Sequence, residues 1–560
     1  MKFSPNKRLL AILVGCSFLT ACGSSSDNKS TAEPKVDEPN IQQPAPEIGK
    51  VKNVILMIGD GMGAQQVGLL EEYARRAPNS VLATTTTGLQ QFADNGRLGL
   101  SMNAPMGANP SLVVDSACSA SQLATGKGSI SEAVGLDDNG NKVETILEKA
   151  KKMGKATGLI SDTRLTHATP AAFAAHQPHR SYENEIAQDL LTVGVDVMLG
   201  GGSRHWVPAG DFAAMAAELN APSHVIKKSK RSDDRNLIKE AKNAGYSLAF
   251  TKAQLAQATG TKLLGLFDDS AMNDGIEYTA CKNSAVSDKC ADEPSLKEMT
   301  MKALDILSKD DDGFFLMVEG GQIDWAGHVN DTGWLLHEML KFDEAVAAVY
   351  EWVKQREDTL VVITADHETG GFGFAYHKHD IPEGKQLSGD GMNGKEYKPN
   401  FNFGSLETLD KIFAQKKSYY DIFSDVEGDW DFSASTPGEW KTAVNASLHA
   451  DFHVSDEEAE HIAARTMNDN QITGHKYLDV AELPLINDFS DFYVYPGEDH
   501  GALISRAIGA EQSVAWSNGS HTASPVPVYA FGPEAIANKF STMQHHTNIG
   551  QKLIEALITE

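Results

Sequence analysis

The chain is short of positive charge. It carries 49 Lys and Arg against 76 Asp and Glu, a formal net charge of -27. That balance argues against nucleic acid as a partner and against a basic face laid on a membrane. It also repels anionic substrates, so a phosphate site would need strong local positive charge of its own, for which bound metal ions are the obvious source. Long apolar runs are missing as well: the one at residues 9–19 is too short to span a bilayer as a helix. No repeat with a period of 20–50 residues is evident, which excludes a solenoid. Low-complexity sequence is confined to about the first fifty residues. Cysteine is scarce, five in 560 residues. What remains is a globular composition, 41% hydrophobic and 22% charged, in a chain long enough for one large domain or several ordinary ones.

The N-terminus reads as a targeting segment. Lys2, Lys7 and Arg8 precede the apolar run, and Leu19-Thr20-Ala21-Cys22 follows it. This looks like a bacterial lipoprotein signal: residues 1–21 are removed and Cys22 becomes the lipidated first residue. An ordinary secretory signal cleaved near the same place is the alternative. Residues 22–49, rich in Ser, Pro, Glu and Asp, read as a disordered tether. Gly23, rather than Asp, after the cysteine points to the outer membrane, by resemblance to Gram-negative lipoproteins. The protein is therefore expected to be exported and to meet the membrane through a lipid anchor only. The other cysteines agree. Cys16 leaves with the signal, Cys281 and Cys290 flank a short polar loop and can pair in an oxidising compartment, and Cys118 is left as a small buried side chain.

The stretch 115–126, Asp-Ser-Ala-Cys-Ser-Ala-Ser-Gln-Leu-Ala-Thr-Gly, carries the most information. Small residues and good helix formers run to a Thr-Gly stop, which places Ser116 in the first turn of a helix. Free N–H groups and the positive end of the helix dipole favour an anion there. The hydroxyl is then a candidate nucleophile for a phosphate ester. A mere helix cap is the plain alternative, and the rest of the chain must decide.

Near-continuous apolar runs at 51–58, 157–160, 195–199, 314–318, 360–364 and 526–531 suit strands buried on both faces. Helical stretches such as 143–152 lie between them. The class is α/β with a mostly parallel sheet, whose ligands bind beyond the carboxyl ends of the strands. Acids and histidines fall at those ends: Asp60, Glu319 and the pair Asp366 and His367. Asp324 and His328, four apart, share one face of a helical turn and can hold one metal. His521, the His167-Ala-Thr169-Pro segment, and Arg180 with His176 and His179 beside it complete the set. Each alone has an ordinary explanation, such as a surface hydrogen bond, a helix start or a solvated charge. Together, several strand-end loops with hard oxygen and nitrogen ligands point to metal, Zn²⁺ where imidazole and carboxylate mix and Mg²⁺ where oxygen alone serves. His224, His449, His453, His461, His475, His545 and His546 lack such a setting and read as bystanders. Residues 379–490 are more polar and aromatic, with a capping box at Ser455 and Glu458 opening a helix toward Met467, and read as an insertion.

With these residues assembled, the chain resembles the alkaline phosphatases over about residues 50–555. The resemblance implies a three-layer α/β/α sandwich around a mostly parallel sheet, a catalytic domain at 50–560 with the insertion at about 379–490, and a metal-dependent phosphate monoesterase. It implies two Zn²⁺ and one Mg²⁺ per subunit. By position, Ser116 would become phosphoserine and Arg180 would clamp phosphate bidentately, which Lys could not do. Asp324, His328 and His521 would bind the first zinc, and Asp60, Asp366 and His367 the second. Asp60, Thr169 and Glu319 would hold magnesium. Two such metals clamp the entering and leaving oxygens of an in-line displacement. His167 and Trp325 stand where the best-known bacterial members have Asp and Lys, and are similar to marine, cold-adapted members. That pair implies looser phosphate or Mg²⁺ binding. The insertion implies a homodimer. Phosphodiesterases of the superfamily are the rival enzymes, although they usually place Thr at the nucleophile and lack the Arg. Sulfatases need a Cys-x-Pro-x-Arg type motif, which is absent. A non-catalytic surface lipoprotein that binds metal or phosphate is the rival of another class, and would not need Ser116.

Overall fold

The computed structural model describes residues 50–558, apart from 83–84, 284–287 and 429. The signal at 1–21, Cys22 and the tether at 22–49 lie outside the described residues. A ten-stranded sheet runs through the molecule. In chain order its strands are β1 (Asn53–Gly59), β2 (Arg97–Met102), β3 (Ala156–Arg164), β4 (Val197–Gly201), β5 (Ser247–Ala249), β6 (Leu263–Leu266), β7 (Phe314–Gly320), β8 (Thr359–Thr364), β9 (Val526–Phe531) and β10 (Met543–His545). Their spatial order is β10-β2-β9-β8-β1-β7-β3-β4-β6-β5. Every neighbouring pair is parallel except those made by β9, which is antiparallel to both β2 and β8. The expected strands are all present. β2, β5, β6 and β10 escaped the search for apolar runs: β5 and β10 are three residues long, and β2 alternates buried and exposed.

Side chains of β1 alternate between two cores, as a strand's period of two requires. Ile55 and Met57 join one apolar cluster, and Val54, Leu56 and Ile58 join the other. Both faces of the sheet are therefore covered, which makes the three layers. On the second face lies α1 (Ser116–Thr125), with Ala117, Ala120, Leu123 and Ala124 buried in the cluster. On the first lie α2 (Gln322–His328) and α3 (Thr332–Val353), with Trp334, Leu335 and Phe342 in its core. The apolar side chains of the 379–490 stretch, expected as an insertion, belong to that same cluster: Leu409, Ile412, Phe423, Trp440 and Ile462 are continuous with Ile55 and Met57. The capping box at Ser455 and Glu458 forms, but its helix is Asp456–Ala463 and does not reach Met467. Arg465–Met467 instead pairs as a short strand with Glu482–Pro484. Among the described residues no helix is long and apolar enough to cross a membrane. Cys281 and Cys290 are disulfide-bonded, with Cα atoms 5.3 Å apart, and Cys118 is a buried free thiol.

Candidate active site

β1, β7 and β8 are adjacent, so their carboxyl ends bring distant parts of the chain together. Asp60 follows β1, Glu319 is the penultimate residue of β7, and Asp366 and His367 follow β8. β3 delivers His167 and Thr169 through a one-turn helix, Ala168–Ala171. α2 carries Asp324 and His328, and His521 sits on a short strand paired with Glu368–Thr369. The turn after β1 packs closely here. Gly61 has φ +75°, and a Cβ on it would lie 2.8 Å from Thr369 Oγ1 and 2.9 Å from Asp324 Cα. A larger residue would be strained in conformation and would push against α2.

Asp115, not Ser116, is the N-cap of α1. Its carboxylate accepts from the N–H groups of Ala117 (3.1 Å) and Cys118 (3.3 Å), and from that of Glu132 (2.8 Å). Gly126, at φ +67°, ends the helix. Capping is thus supplied by the neighbour, and the Ser116 hydroxyl is left for other contacts. Its Oγ lies 3.1 Å from His367 Nε2. The same nitrogen is 3.2 Å from Asp366 Oδ2 and 3.4 Å from Asp60 Oδ1. One ring proton cannot serve a hydroxyl and two carboxylates at once, whereas a cation between them can.

The polar atoms left over point the same way. Asp60 Oδ1, Asp366 Oδ2, Glu319 Oε1 and His167 Nδ1 are buried without a hydrogen-bond partner, which costs about 1–3 kcal/mol for each such group and more when it is charged. Burial, with Asp366, Asp324 and Glu319 close by, pushes the Asp60 carboxyl well above the ordinary range. Burial lifts Glu319 to about 8, against hydrogen bonds from Ser161 and Thr163. Burial and the Asp324 charge lift Asp366 to about 7. Burial and the neighbouring His521 hold His367 well below its usual value, so it is neutral and free to act as a ligand. These carboxylates cannot all carry their charge in a dry site unless a cation offsets it. The donors present therefore fit divalent metal.

Three groups of ligand atoms are close enough to share an ion: Asp324, His328 and His521; Asp60, Asp324 and His367; and Asp60, His167 and Glu319. The first matches the expected set. In the second, Asp324 stands where Asp366 was expected, although Asp366 Oδ2 lies against the same ring nitrogen. In the third, His167 joins Asp60 and Glu319, while Thr169 Oγ1 donates to Asp60 Oδ2 at 3.3 Å. The imidazoles are aimed from behind. His328 Nδ1 is 2.8 Å from the Gly519 carbonyl and His521 Nδ1 is 2.8 Å from that of Val114, so both Nε2 atoms face inward, 3.2 Å apart. Such a partner fixes the tautomer of a metal-binding histidine.

Arg180 approaches from the other side. One guanidinium nitrogen donates to Asp115 Oδ2 and another to His167 Nε2, each at 3.2 Å. His167 and Trp325 meet edge to face at 5.9 Å between ring centroids. Arg180, Asp115, His167 and Trp325 line a cleft of about 1070 Å³, with Ser116, Asp324, His328 and His521 along it.

Two histidines set aside as bystanders are placed at the site. His546 Nε2 lies 2.8 Å from the Asp366 carbonyl, which also accepts from Ser119 Oγ at 2.7 Å. Both contacts brace the loop that carries Asp366 and His367. His475 lines the cleft. Neither had a signal in sequence: His546 is 180 residues from Asp366, and His475 sits in a polar loop of the insertion.

Comparison with known proteins agrees with this geometry. The family model described as alkaline phosphatase matches residues 51–479. Alkaline phosphatase 4 of Bacillus subtilis (strain 168) is 30% identical over 517 residues, covering 91% of this chain and 89% of that protein. Alkaline phosphatase 3 of the same organism is 30% identical over 564 residues, 100% of this chain and 98% of that one. Among solved structures, the cold-active alkaline phosphatase of a psychrophilic Shewanella sp. is 26% identical, covers 90% of this chain and 100% of its own, and superposes with a TM-score of 0.63. Acids and histidines gathered at the strand ends, a buried anionic cluster that fits metal and these relationships lead to one assignment: the chain belongs to the alkaline phosphatase family, whose members are metal-dependent phosphatases.

Proposed function

We propose that the protein hydrolyses phosphate monoesters through a phosphoserine at Ser116. The observation that carries the reading is the convergence at one nitrogen, His367 Nε2, of the Ser116 hydroxyl and two carboxylate oxygens that have no hydrogen-bond partner. Asp324, His328 and His521 would hold one zinc, Asp60, Asp366 and His367 a second, and Asp60, Thr169 and Glu319 a magnesium. When bound, such ions lower the pKa of attached oxygens and neutralise charge developing on the transferred group.

The chain's own residues do the rest. Ser116 Oγ gives up its proton and attacks phosphorus, the alcohol leaves with a proton, and water then cleaves the Ser116–phosphate bond to release inorganic phosphate. Arg180 holds two phosphate oxygens in its fork, and Asp115 holds Arg180 in place. The start of α1 adds N–H groups and the positive end of its dipole. We place the enzyme outside the cytoplasm, anchored through Cys22, and assign it a homodimeric state with the insertion as the contact.

Hydrolysis of an aryl phosphate against a bis-aryl phosphate at alkaline pH, with and without chelator, tests the reaction class. Strong preference for the monoester, abolished by chelator, is expected. Diester preference or indifference to chelator overturns it. Ser116→Ala should lower turnover by about 10⁴-fold or more, and the wild type should trap labelled phosphate on Ser116 at low pH.

A further inference from the structure

The cleft of about 1070 Å³ is much larger than the phosphoryl group that Ser116 and Arg180 face, so most of it surrounds the alcohol of the ester. Aromatic rings line two of its walls. Trp325, Tyr420 and Trp430 form one, with centroids 6.3 Å apart for Trp325 and Tyr420 and 4.6 Å for Tyr420 and Trp430. All three pack against the core on the first face of the sheet, which accounts for their presence. Tyr477 and Tyr495 form the other wall, edge to face at 5.0 Å. They pack on neither core cluster, and Tyr477 is 37% exposed. Tyr495 also meets His328 edge to face at 5.0 Å, so the wall begins at a proposed metal ligand and runs outward. At its outer end Lys476 Nζ stands 4.6 Å from the centre of the Tyr477 ring. Rings that bury no core surface gain little stability where they are; facing a cleft, they are placed to cover a ligand.

We propose that Tyr477, Tyr495 and Lys476 form a leaving-group subsite that selects monoesters whose alcohol carries a flat ring, nucleoside or aryl, over small aliphatic ones. The proposal rests on the monoesterase reading above. A flat ring stacks on tyrosine without needing a particular pattern of hydrogen bonds, and the Lys476 ammonium is drawn to an electron-rich ring face. The contact is made equally in the ground and transition states, so it acts on KM and leaves kcat to the strand-end residues.

Adenosine 5′-phosphate and ribose 5-phosphate lose the same kind of primary alcohol and differ in the base, which makes them the matched pair. With the full, metal-loaded protein, the kcat/KM ratio of the first to the second should be about tenfold, the size of one base–aromatic stack. Tyr477→Ala should bring the ratio to within about twofold of one, through KM, and Tyr477→Phe should keep it. A wild-type ratio near one, or a ratio that survives Tyr477→Ala, overturns the subsite while leaving monoester hydrolysis standing. If neither ester is hydrolysed, the monoesterase reading falls and takes this one with it.

Discussion

At the carboxyl ends of the central strands, Asp60 Oδ1, Asp366 Oδ2 and Glu319 Oε1 are buried with no hydrogen-bond partner. In the 379–490 stretch, which supplies Tyr477 of the outer wall, helices Tyr419–Val426, Pro437–Ser447 and Asp456–Ala463 each open on a side-chain cap, and the last two on complete capping boxes. Their apolar faces merge with the main core. The insertion is therefore stabilised as ordinary structure is, by burial and local hydrogen bonds. The strand-end cluster departs from both rules, keeping like charges close together and leaving polar atoms unpaired. Such departures, set within an otherwise consistent fold, mark where the chemistry is.

Three measurements would break or sharpen this contrast, beginning with the largest effect. Trp440 is fully buried, stacks on His500 at 4.7 Å and meets Phe432 at 5.1 Å. Trp440→Ala should cost about 3–5 kcal/mol. Because its cluster is the core itself, calorimetry should still show one unfolding transition, shifted down; a separate early transition would mean that the insertion melts as a unit of its own. The loss should hardly depend on pH.

Glu183 gives the opposite signature. It borders the cleft and clamps Arg164 bidentately, at 2.8 and 3.1 Å, with Thr166 Oγ1 donating at 2.7 Å. Burial opposes its charge, but Arg164 and His205 outweigh it and bring the carboxyl from 4.5 down to about 2. A lowered folded pKa means that the contribution is fully present above the unfolded value of 4.5 and is lost as pH falls through about 2. At about 1.4 kcal/mol per unit, Glu183→Gln should cost on the order of 3 kcal/mol near neutrality. Denaturant melts of both forms should converge as the pH drops from 4.5 toward 2, and a constant gap would show that the pair's worth is not electrostatic.

The smallest effect concerns Trp325. A lysine there would bring positive charge beside His167 and Arg180, and Trp325→Lys should strengthen inhibition by inorganic phosphate by several-fold to about tenfold at most, the scale of one partly screened charge. Unchanged inhibition would remove Trp325 from the determinants of phosphate release.

The sequence made legible what repeats a local rule. The apolar runs that became β1, β7 and β8 are buried on both faces and stand out, and the acids that follow them follow from the topology of a parallel sheet. Asp324 and His328 were readable from helical spacing alone. Three-residue strands such as β5 offer no periodicity to detect, and the alternation of β2 resembles many exposed segments. The brace that His546 gives to Asp366 and the aromatic wall at Tyr477 and Tyr495 are made by tertiary contacts across long separations. No spacing rule anticipates them. His367 shows the middle case. It was legible as a candidate ligand, but its closeness to Ser116, 251 residues away, was not.

His546 begins the helix His546–Ile558 and supports the Asp366 carbonyl from beneath. A chain made from its N-terminus exposes Asp60 and Ser116 to its surroundings long before that helix exists. A nascent polypeptide stopped after His521 would own every proposed ligand and still lack the support under one of them. Assembly of the working site thus waits on the helix His546–Ile558, and catalytic activity can serve as a readout of whether that helix has been made and docked.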